Sequence, residues 1–502
     1  MPALLHCALE QAADRFGGRD AVRAGDDAWS FRTLDERSNA FARHLAAAGV
    51  APRQRVAVMT TNRVEFVITV HAISKVGAAA VLLSPAWKAV EVGHALDLTG
   101  PVHAVADGAA AALLAERLPV TDLDDGGAMA EARSHDRGRR VTPVEDTDEA
   151  VLVFSSGTTG LPQAVRHTHR SLWHGTQHWC EALGLGPDDR FQVATPPSHI
   201  LGLLNLLAAA EAGATVRLHP RFDLDEVLRR IGTDRITIEM AVAPIALAMA
   251  NHPCIEEYDL SSLRYIMWGA TPVSESVAEV VTRRTGVRWL PGYGASELPV
   301  ISCNPVGDPD RWRLDSAGLP PAGVELRVAD LDSGEPLPPG GVGEIQVRSP
   351  SVMAGYLPEE ASAEAFADGW YRTGDVGWLE ADGWVHLTDR AKEMMKVNGF
   401  QVAPAEIEAV LLGHRAVHDC AVFPLPDERA GEVPVAAVQL DPAVAVADGE
   451  LEALVADSLA GYKRLRHVVV VDAVPRLPSG KALRRTLREQ WTPSLLAAGR
   501  DD

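Results

Sequence analysis

At 502 residues the chain exceeds what one hydrophobic core organises, so two or more domains are expected. Apolar residues make up 47% and charged residues 23%, an ordinary balance for a globular protein. The net charge of −21 argues against nonspecific binding to nucleic acid or anionic membranes, which need basic surfaces, but leaves room for small anions held by local basic groups.

Strand-like and helix-like segments alternate from the start, which predicts parallel α/β layers. Thr33-Leu34-Asp35-Glu36 reads as a capping box that opens a helix, with Phe41 and Leu45 on its apolar face and Gly49 at its exit. Residues 56–59 read as a buried strand, Asn62 with Glu65 as a cap for a helix to about residue 75, and 78–83 as another strand. From 107 to 148 the chain is rich in Ala, Asp and Gly with weak periodicity, and reads as a variable surface connection. Residues 151–154 are apolar and of strand type, and they run into Ser155-Ser156-Gly157-Thr158-Thr159-Gly160. That loop offers hydroxyls and closely spaced N–H groups, which suits a polyphosphate, although taken alone it also reads as a simple turn.

His167, His169, His174 and His178 follow the loop. The i,i+4 pair His174 and His178 lacks a carboxylate or cysteine companion and reads as a solvated helical face rather than a chelate. Further strands are expected at 191–193, 215–218, 236–242, 265–267 and 287–290, and residues 317–385 carry the turns of an antiparallel β subdomain. A boundary is placed at 388/389, dividing a large domain, 1–388, from a small α+β domain of 389–502. Within the latter a helix is expected at 404–412, strands at 420–423, 434–440 and 467–471, a helix at 450–459 and a final basic helix. Cys7, Cys180, Cys254, Cys303 and Cys420 have no metal spacing and read as reduced packing residues. No leader-like N-terminus and no apolar run of roughly 18 residues is present, so a cytoplasmic protein is expected.

The chain has no GxxxxGK[ST], no GxGxxG after a strand, no HExxH and no GxSxG, so a Walker-type NTPase, dehydrogenase, metalloprotease or α/β-hydrolase has no local support. What remains is an ordered set: the Ser155 loop, Gly292-Tyr293-Gly294-Ala295-Ser296-Glu297, Tyr371-Arg372-Thr373-Gly374-Asp375, the segment from Asp389 to Glu408, and Pro478-Ser479-Gly480-Lys481. In this order and spacing the chain resembles the adenylate-forming superfamily of acyl-CoA synthetases, coumarate–CoA ligases, luciferases and peptide-synthetase adenylation domains. The resemblance covers almost the whole chain.

It implies an α/β fold whose large N-terminal domain of layered subdomains carries a small mobile C-terminal domain. It also implies a two-step reaction: a carboxylate attacks the α-phosphorus of ATP to give an acyl-adenylate and pyrophosphate, and a nucleophile then takes the acyl group. By motif match, Ser155, Ser156, Gly157, Thr158, Thr159, Gly160 and Gln163 would form the phosphate loop. Tyr293 would stack near the adenine, with Ala270, Gly294 and Ser296 nearby, and Asp375 and Arg390 would hold the ribose. Glu297 would help hold Mg²⁺, a hard cation that prefers oxygen ligands. Lys481 would bridge the acyl carboxylate and the α-phosphate as the catalytic lysine. Lys396 and Gln401 would approach the nucleotide in one of two domain orientations, and Lys392 would be the hinge. His199, Trp268, Gly269, Gly292, Pro299 and Val300 fall where pocket walls lie in that group, or are plain core.

Three positions depart from the pattern. Gln163 stands where the loop usually carries lysine, Asn398 where many CoA ligases have lysine, and Pro424 where glycine is common. The last two weaken the case for coenzyme A. The bulk of Trp268 predicts a shortened slot for a compact, cyclic or aromatic acid rather than a long-chain fatty acid. The reading is an ATP-dependent acid ligase passing its acyl group to coenzyme A. The alternatives are transfer to an amine or a carrier-protein thiol, or a regulatory relative that has lost catalysis.

Overall fold

The early alternation of strands and helices resolves into two sheets that share one core. The computed structural model describes residues 4–140, 144–155, 162–269, 275–391, 393–398, 400–427, 429–476 and 482–498. One sheet has seven strands in the order Gly355–Leu357, Gln163–Thr168, Glu149–Ser155, Ala79–Leu82, Arg55–Met59, His103–Ala106, Val120–Asp122. The other has eight, in the order Ser302–Cys303, Trp289–Tyr293, Tyr265–Trp268, Ile238–Ala241, Arg190–Val193, Thr215–Leu218, Asp20–Ala24, Asp27–Ser30. Central strands such as Ala79–Leu82 are buried at every residue, which is why they read as unbroken apolar runs rather than alternating ones. Helices Val64–Val76 and Ile200–Ala212 are apolar on nearly all sides because they lie in the shared core, which joins Val56 and Val58 of one sheet to Phe191, Val193 and Val216 of the other.

Beyond the second sheet the chain forms an antiparallel subdomain, as its turns predicted. Glu325–Ala329, Gly343–Arg348 and Trp370–Leu379 pair in that order, and Val385–Arg390 adds to Trp370–Leu379 with Asp375 opposite Arg390. The short strand Gly355–Leu357 leaves this subdomain and pairs with Gln163–Thr168, so Tyr356 lies opposite Val165. The last part of the chain builds a separate five-stranded sheet with apolar clusters on both faces, one around Val422 and Val438 and the other around Phe423 and Val435. Helix Pro404–Leu412 lies on the first and helix Arg484–Ala498 on the second. Arg484 pairs with both carboxylate oxygens of Glu408 and with Glu393.

Several local expectations are corrected. Residues 107–148 are not a bare connection: helices Gly108–Ala115 and Gly126–Ser134 flank the edge strand Val120–Asp122. An alanine-rich helix has no apolar stripe to detect, and a three-residue strand is too short to show alternation. The helix expected to open at Thr33 begins at Phe31, because the Ser30 hydroxyl accepts from the Thr33 N–H and caps it. Asn62 caps nothing; its amide donates to the carbonyls of Val193 and Thr195 and so ties the two sheets together. The pair expected on a solvated face divides: His178 is buried and His174 is half-buried. His167 lies on a strand, and His167 and His169 are buried too. No helix among the described residues is long and apolar enough to cross a membrane.

Candidate active site

The residues that matter gather where parallel strands of the eight-stranded sheet end, the position at which open α/β sheets bind ligands. Strand Trp289–Tyr293 runs out into a tight excursion, and Gly294 makes it possible: a Cβ there would lie 2.1 Å from the Pro299 carbonyl oxygen. The chain turns at once, with Ala295 N–H donating to Leu298 O and Leu298 N–H returning to Ala295 O, before Ile301 N–H rejoins Tyr293 O. The turn presents Ser296 and Glu297. Both of their carbonyls are held from outside: His167 Nε2 donates to Ser296 O at 2.8 Å and Met353 N–H to Glu297 O at 2.8 Å. Burial keeps the His167 imidazole below its ordinary pKa and therefore neutral, as a single-proton donor to a carbonyl should be.

Tyr371-Arg372-Thr373-Gly374-Asp375 explains itself residue by residue. Arg372 pairs with Glu344, the Thr373 hydroxyl donates to Ile345 O, and Gly374 takes φ +70°, which a side chain would strain. That bend delivers Asp375 to Tyr293, whose hydroxyl donates to Asp375 Oδ2, while Arg390 Nε lies 2.7 Å from Asp375 Oδ1. Asp375 raises the affinity of Arg390 for its proton, and burial followed by Asp375 holds the Tyr293 hydroxyl well above the usual phenol pKa. Three residues expected to face the nucleoside are therefore assembled in one hydrogen-bonded group.

Glu297 is buried, and among the described residues no Lys or Arg nitrogen lies within ion-pair distance of it. Its Oε1 accepts the Tyr356 hydroxyl at 2.8 Å. Burial and the Glu297 charge keep both Tyr356 and Tyr371 protonated far above their ordinary range. A buried carboxylate without a cation is costly, and a hard divalent ion is what such an oxygen donor suits. Electrostatic coupling also brings His199 near Glu297; His199 caps helix Ile200–Ala212, accepting from Leu201 N–H through Nδ1, and burial lowers its pKa.

A narrow apolar cleft adjoins, lined by Trp179, Thr195, Leu201, Met240, Ala241, Val242, Ile245, Met267 and Gly269. Gly269 lines it, and a Cβ on Gly292 would meet the Met267 methyl at 2.5 Å, so Gly292 lies behind Met267. Trp268 is not a wall. Along strand Tyr265–Trp268, Met267 faces the cleft and the main core, whereas Trp268 faces the opposite cluster and packs on Trp289 at 4.9 Å. Val300 and Pro299 are buried behind the excursion, Val300 in the main core and Pro299 against Gly175.

Ser155 and Gln163 face each other across the paired strands at the root of the Ser155 loop, and His94 Nε2 reaches Pro162 O at 2.9 Å. Ser156, Gly157, Thr158, Thr159, Gly160, Ala270, Lys392 and Lys481 lie outside the described residues, as does the side chain of Gln401. Lys396 is exposed on the hairpin Met395–Val402, and no hydrogen bond or ion pair among the described residues joins it to the Tyr293 group. Tyr356 and Met267 were missed. Nothing local to Gly355-Tyr356-Leu357 signals a carboxylate partner; strand alternation through 265–268 would have separated Met267 from Trp268.

With this geometry in hand, the comparisons agree with one another. The family model described as AMP-binding enzyme matches residues 9–357, and the AMP-binding enzyme C-terminal domain matches residues 406–481. A 4-coumarate–CoA ligase 5 of Oryza sativa subsp. japonica is 34% identical over 514 residues, 98% of this chain and 94% of that one. The solved structure of the anthranilate CoA ligase AuaEII with anthranoyl-AMP superposes with a TM-score of 0.91 at 26% identity, covering 98% of each chain. That of the amide bond synthetase McbA from Marinactinospora thermotolerans gives 0.88 at 30% identity, covering 97% of this chain and 100% of McbA.

Proposed function

The chain belongs to the AMP-binding enzyme family and is an ATP-dependent, AMP-forming carboxylic acid ligase, and from that premise we propose that its acid is a compact monocarboxylate with an apolar body and its acceptor the thiol of coenzyme A. One observation carries the substrate reading. The cleft that Gly269 and Met267 border is lined by apolar side chains apart from Thr195 and, among the described residues, offers no charged group. A second carboxylate or an ammonium on the acid would be buried there without a partner, at a cost of several kcal/mol, whereas an aromatic or alicyclic body loses nothing. The preference for such a body comes from this lining and not from Trp268, which faces elsewhere.

In this reading the Asp375 carboxylate and Arg390 hold the ribose, Tyr293 fixes Asp375, and Glu297 holds Mg²⁺, whose charge would offset that of the phosphates. An ionised substrate carboxylate is already a nucleophile, so no general base is required. Catalysis reduces to positioning and charge stabilisation. Lys481 supplies the mobile charge for the first half-reaction, and Lys396, on its exposed hairpin, serves the second after the unit beyond the Lys392 hinge reorients.

ATP–pyrophosphate exchange across an acid panel tests the first part. Cinnamic, benzoic and alicyclic acids should exchange faster than palmitate, dicarboxylates or amino acids, and preference for a dicarboxylate would overturn it. Product mass analysis tests the second: an acyl-CoA is expected, and an amide formed from a supplied amine with no thioester would move the chain to the amide-forming reaction named for McbA. Lys481→Ala should lose most adenylation yet still transfer from a supplied acyl-adenylate; equal loss of both half-reactions would defeat the division of labour between Lys481 and Lys396.

A further inference from the structure

At the edge of the seven-stranded sheet opposite the strands that bound the Ser155 loop, three side chains converge for which the ligase reaction has no use. Helix Phe31–Ala47 carries His44 in its last turn. Helix Gly126–Ser134 carries Glu131 and ends on His135, and the four-residue spacing puts both on one side. One ligand atom from each of His44, Glu131 and His135 lies within 4.8 Å of the other two. The His44 ring is stacked on Phe41 at 5.6 Å, and its Nε2 is 3.3 Å from the Thr121 hydroxyl, so its plane is set by neighbours, as ligating imidazoles generally are.

A second observation is independent of that convergence. His135 Nε2 is shielded from solvent and has no hydrogen-bond partner among the described residues. A buried polar nitrogen left unpaired costs about 1–3 kcal/mol, which a bound cation would remove. A second histidine pair, His174 and His178, has ring centroids 6.4 Å apart but no third ligand among the described residues.

We propose that His44, Glu131 and His135 bind one late first-row divalent cation of the zinc class. Two imidazoles and one carboxylate suit Zn²⁺, Co²⁺ or Ni²⁺, while Mg²⁺ and Ca²⁺ prefer oxygen alone. Three protein ligands leave a position for water. The cation would clamp helix Gly126–Ser134 to helix Phe31–Ala47.

The full chain, stripped of metal with a chelator, is titrated with Zn²⁺ by calorimetry and with Co²⁺ by visible absorption, in parallel with His135→Gln, Glu131→Gln and His174→Gln. The expected result is one equivalent of each metal, d–d bands typical of few-coordinate Co²⁺, and a thermal midpoint raised by Zn²⁺ but not by Mg²⁺. His135→Gln and Glu131→Gln should weaken binding about tenfold or more while matching the metal-free midpoint of the wild type, which shows that they fold. Failure of Zn²⁺ and Co²⁺ to bind saturably, or binding lost in His174→Gln and kept in His135→Gln, would overturn the assignment.

Discussion

Tyr356 holds Glu297 by a single hydrogen bond, and a phenol donating to a buried carboxylate contributes about 1.5–3 kcal/mol. Tyr356→Phe keeps the ring and removes the donor. If Glu297 holds Mg²⁺, the variant should need roughly tenfold more Mg²⁺ for half-maximal ATP–pyrophosphate exchange, with little change in the KM for the acid; an unchanged Mg²⁺ curve would remove Tyr356 from the metal's support. A second pair of substitutions separates the cleft from the core. Met267→Ala should widen the slot and admit bulkier acids. Trp268→Ala should cost about 3–5 kcal/mol of stability by leaving a cavity against Trp289, without shifting the order of preferred acids. A changed acid preference in the tryptophan variant would restore it to the pocket. Asn398 shows how a residue judged by its absent charge can have a backbone reason. It sits at φ +50° between Val397 and Phe400, which pair directly, and asparagine followed by glycine is the favoured sequence for such a two-residue hairpin turn. The turn gives asparagine a backbone reason at this position, apart from the charge that a lysine would bring.

The elements explain how far sequence reading reached. Glu297, Tyr293, Asp375 and Arg390 were legible because each lies in a contiguous motif whose neighbours are needed to bend the chain: Gly294 for the excursion, Gly374 for the turn into Asp375. The strands of the second sheet were legible because buried parallel strands announce themselves as apolar runs. Tyr356 was not, since its partner lies 59 positions away and reaches it only because a short strand crosses to another sheet. Nor were His167 and the edge strand Val120–Asp122, whose placement is decided by packing rather than by periodicity. A boundary at 388/389 falls inside strand Val385–Arg390, whose pairing with Trp370–Leu379 is what sets Arg390 on Asp375. The excursion is the element most exposed to a small change. In Gly294→Ala the added carbon meets backbone rather than a yielding side chain, so the turn must open. The expected outcome is a loss of adenylation of about tenfold or more, with global stability lowered by only about 1–3 kcal/mol in denaturant titration. Wild-type exchange in a folded Gly294→Ala protein would show that the turn's shape does not matter to the nucleotide groups.

Across the whole molecule, two buried sets of titratable groups pull stability in opposite directions with pH. Beside Lys75, which pairs with Glu10 and Asp35, His6 and His71 are buried and neutral, as is His169 near His6. Desolvation is the leading cause in each case, lowering His6 to about 3 and His71 and His169 to about 4. The unfolded chain binds these protons from about pH 6.5 downward while the folded chain refuses them. Their stabilising contribution is therefore complete above that pH and is lost as pH falls toward 4, at up to about 1.4 kcal/mol per pH unit for each group. Glu239 has the reverse sign. It is buried under helix Leu224–Asp234, accepts the Gln192 amide at 2.8 Å, and desolvation pushes it up to about 8. Gln192 in turn accepts from His219, so the carboxyl has a neutral neighbour and no cation within ion-pair distance among the described residues. Unfolding ionises this carboxyl from about pH 4.3, so its burial becomes steadily more costly as pH rises toward 8. Glu239→Gln keeps the shape and hydrogen-bonding capacity but cannot ionise. The wild type should lose thermal midpoint from pH 6.5 to 4.5. The variant should be the more stable of the two by about 1 kcal/mol or more at pH 8, with the gap closing toward pH 4.5. A gap that did not change with pH would mean that Glu239 ionises alike in the folded and unfolded chain, and that its neighbours, not its proton, accommodate it in the core.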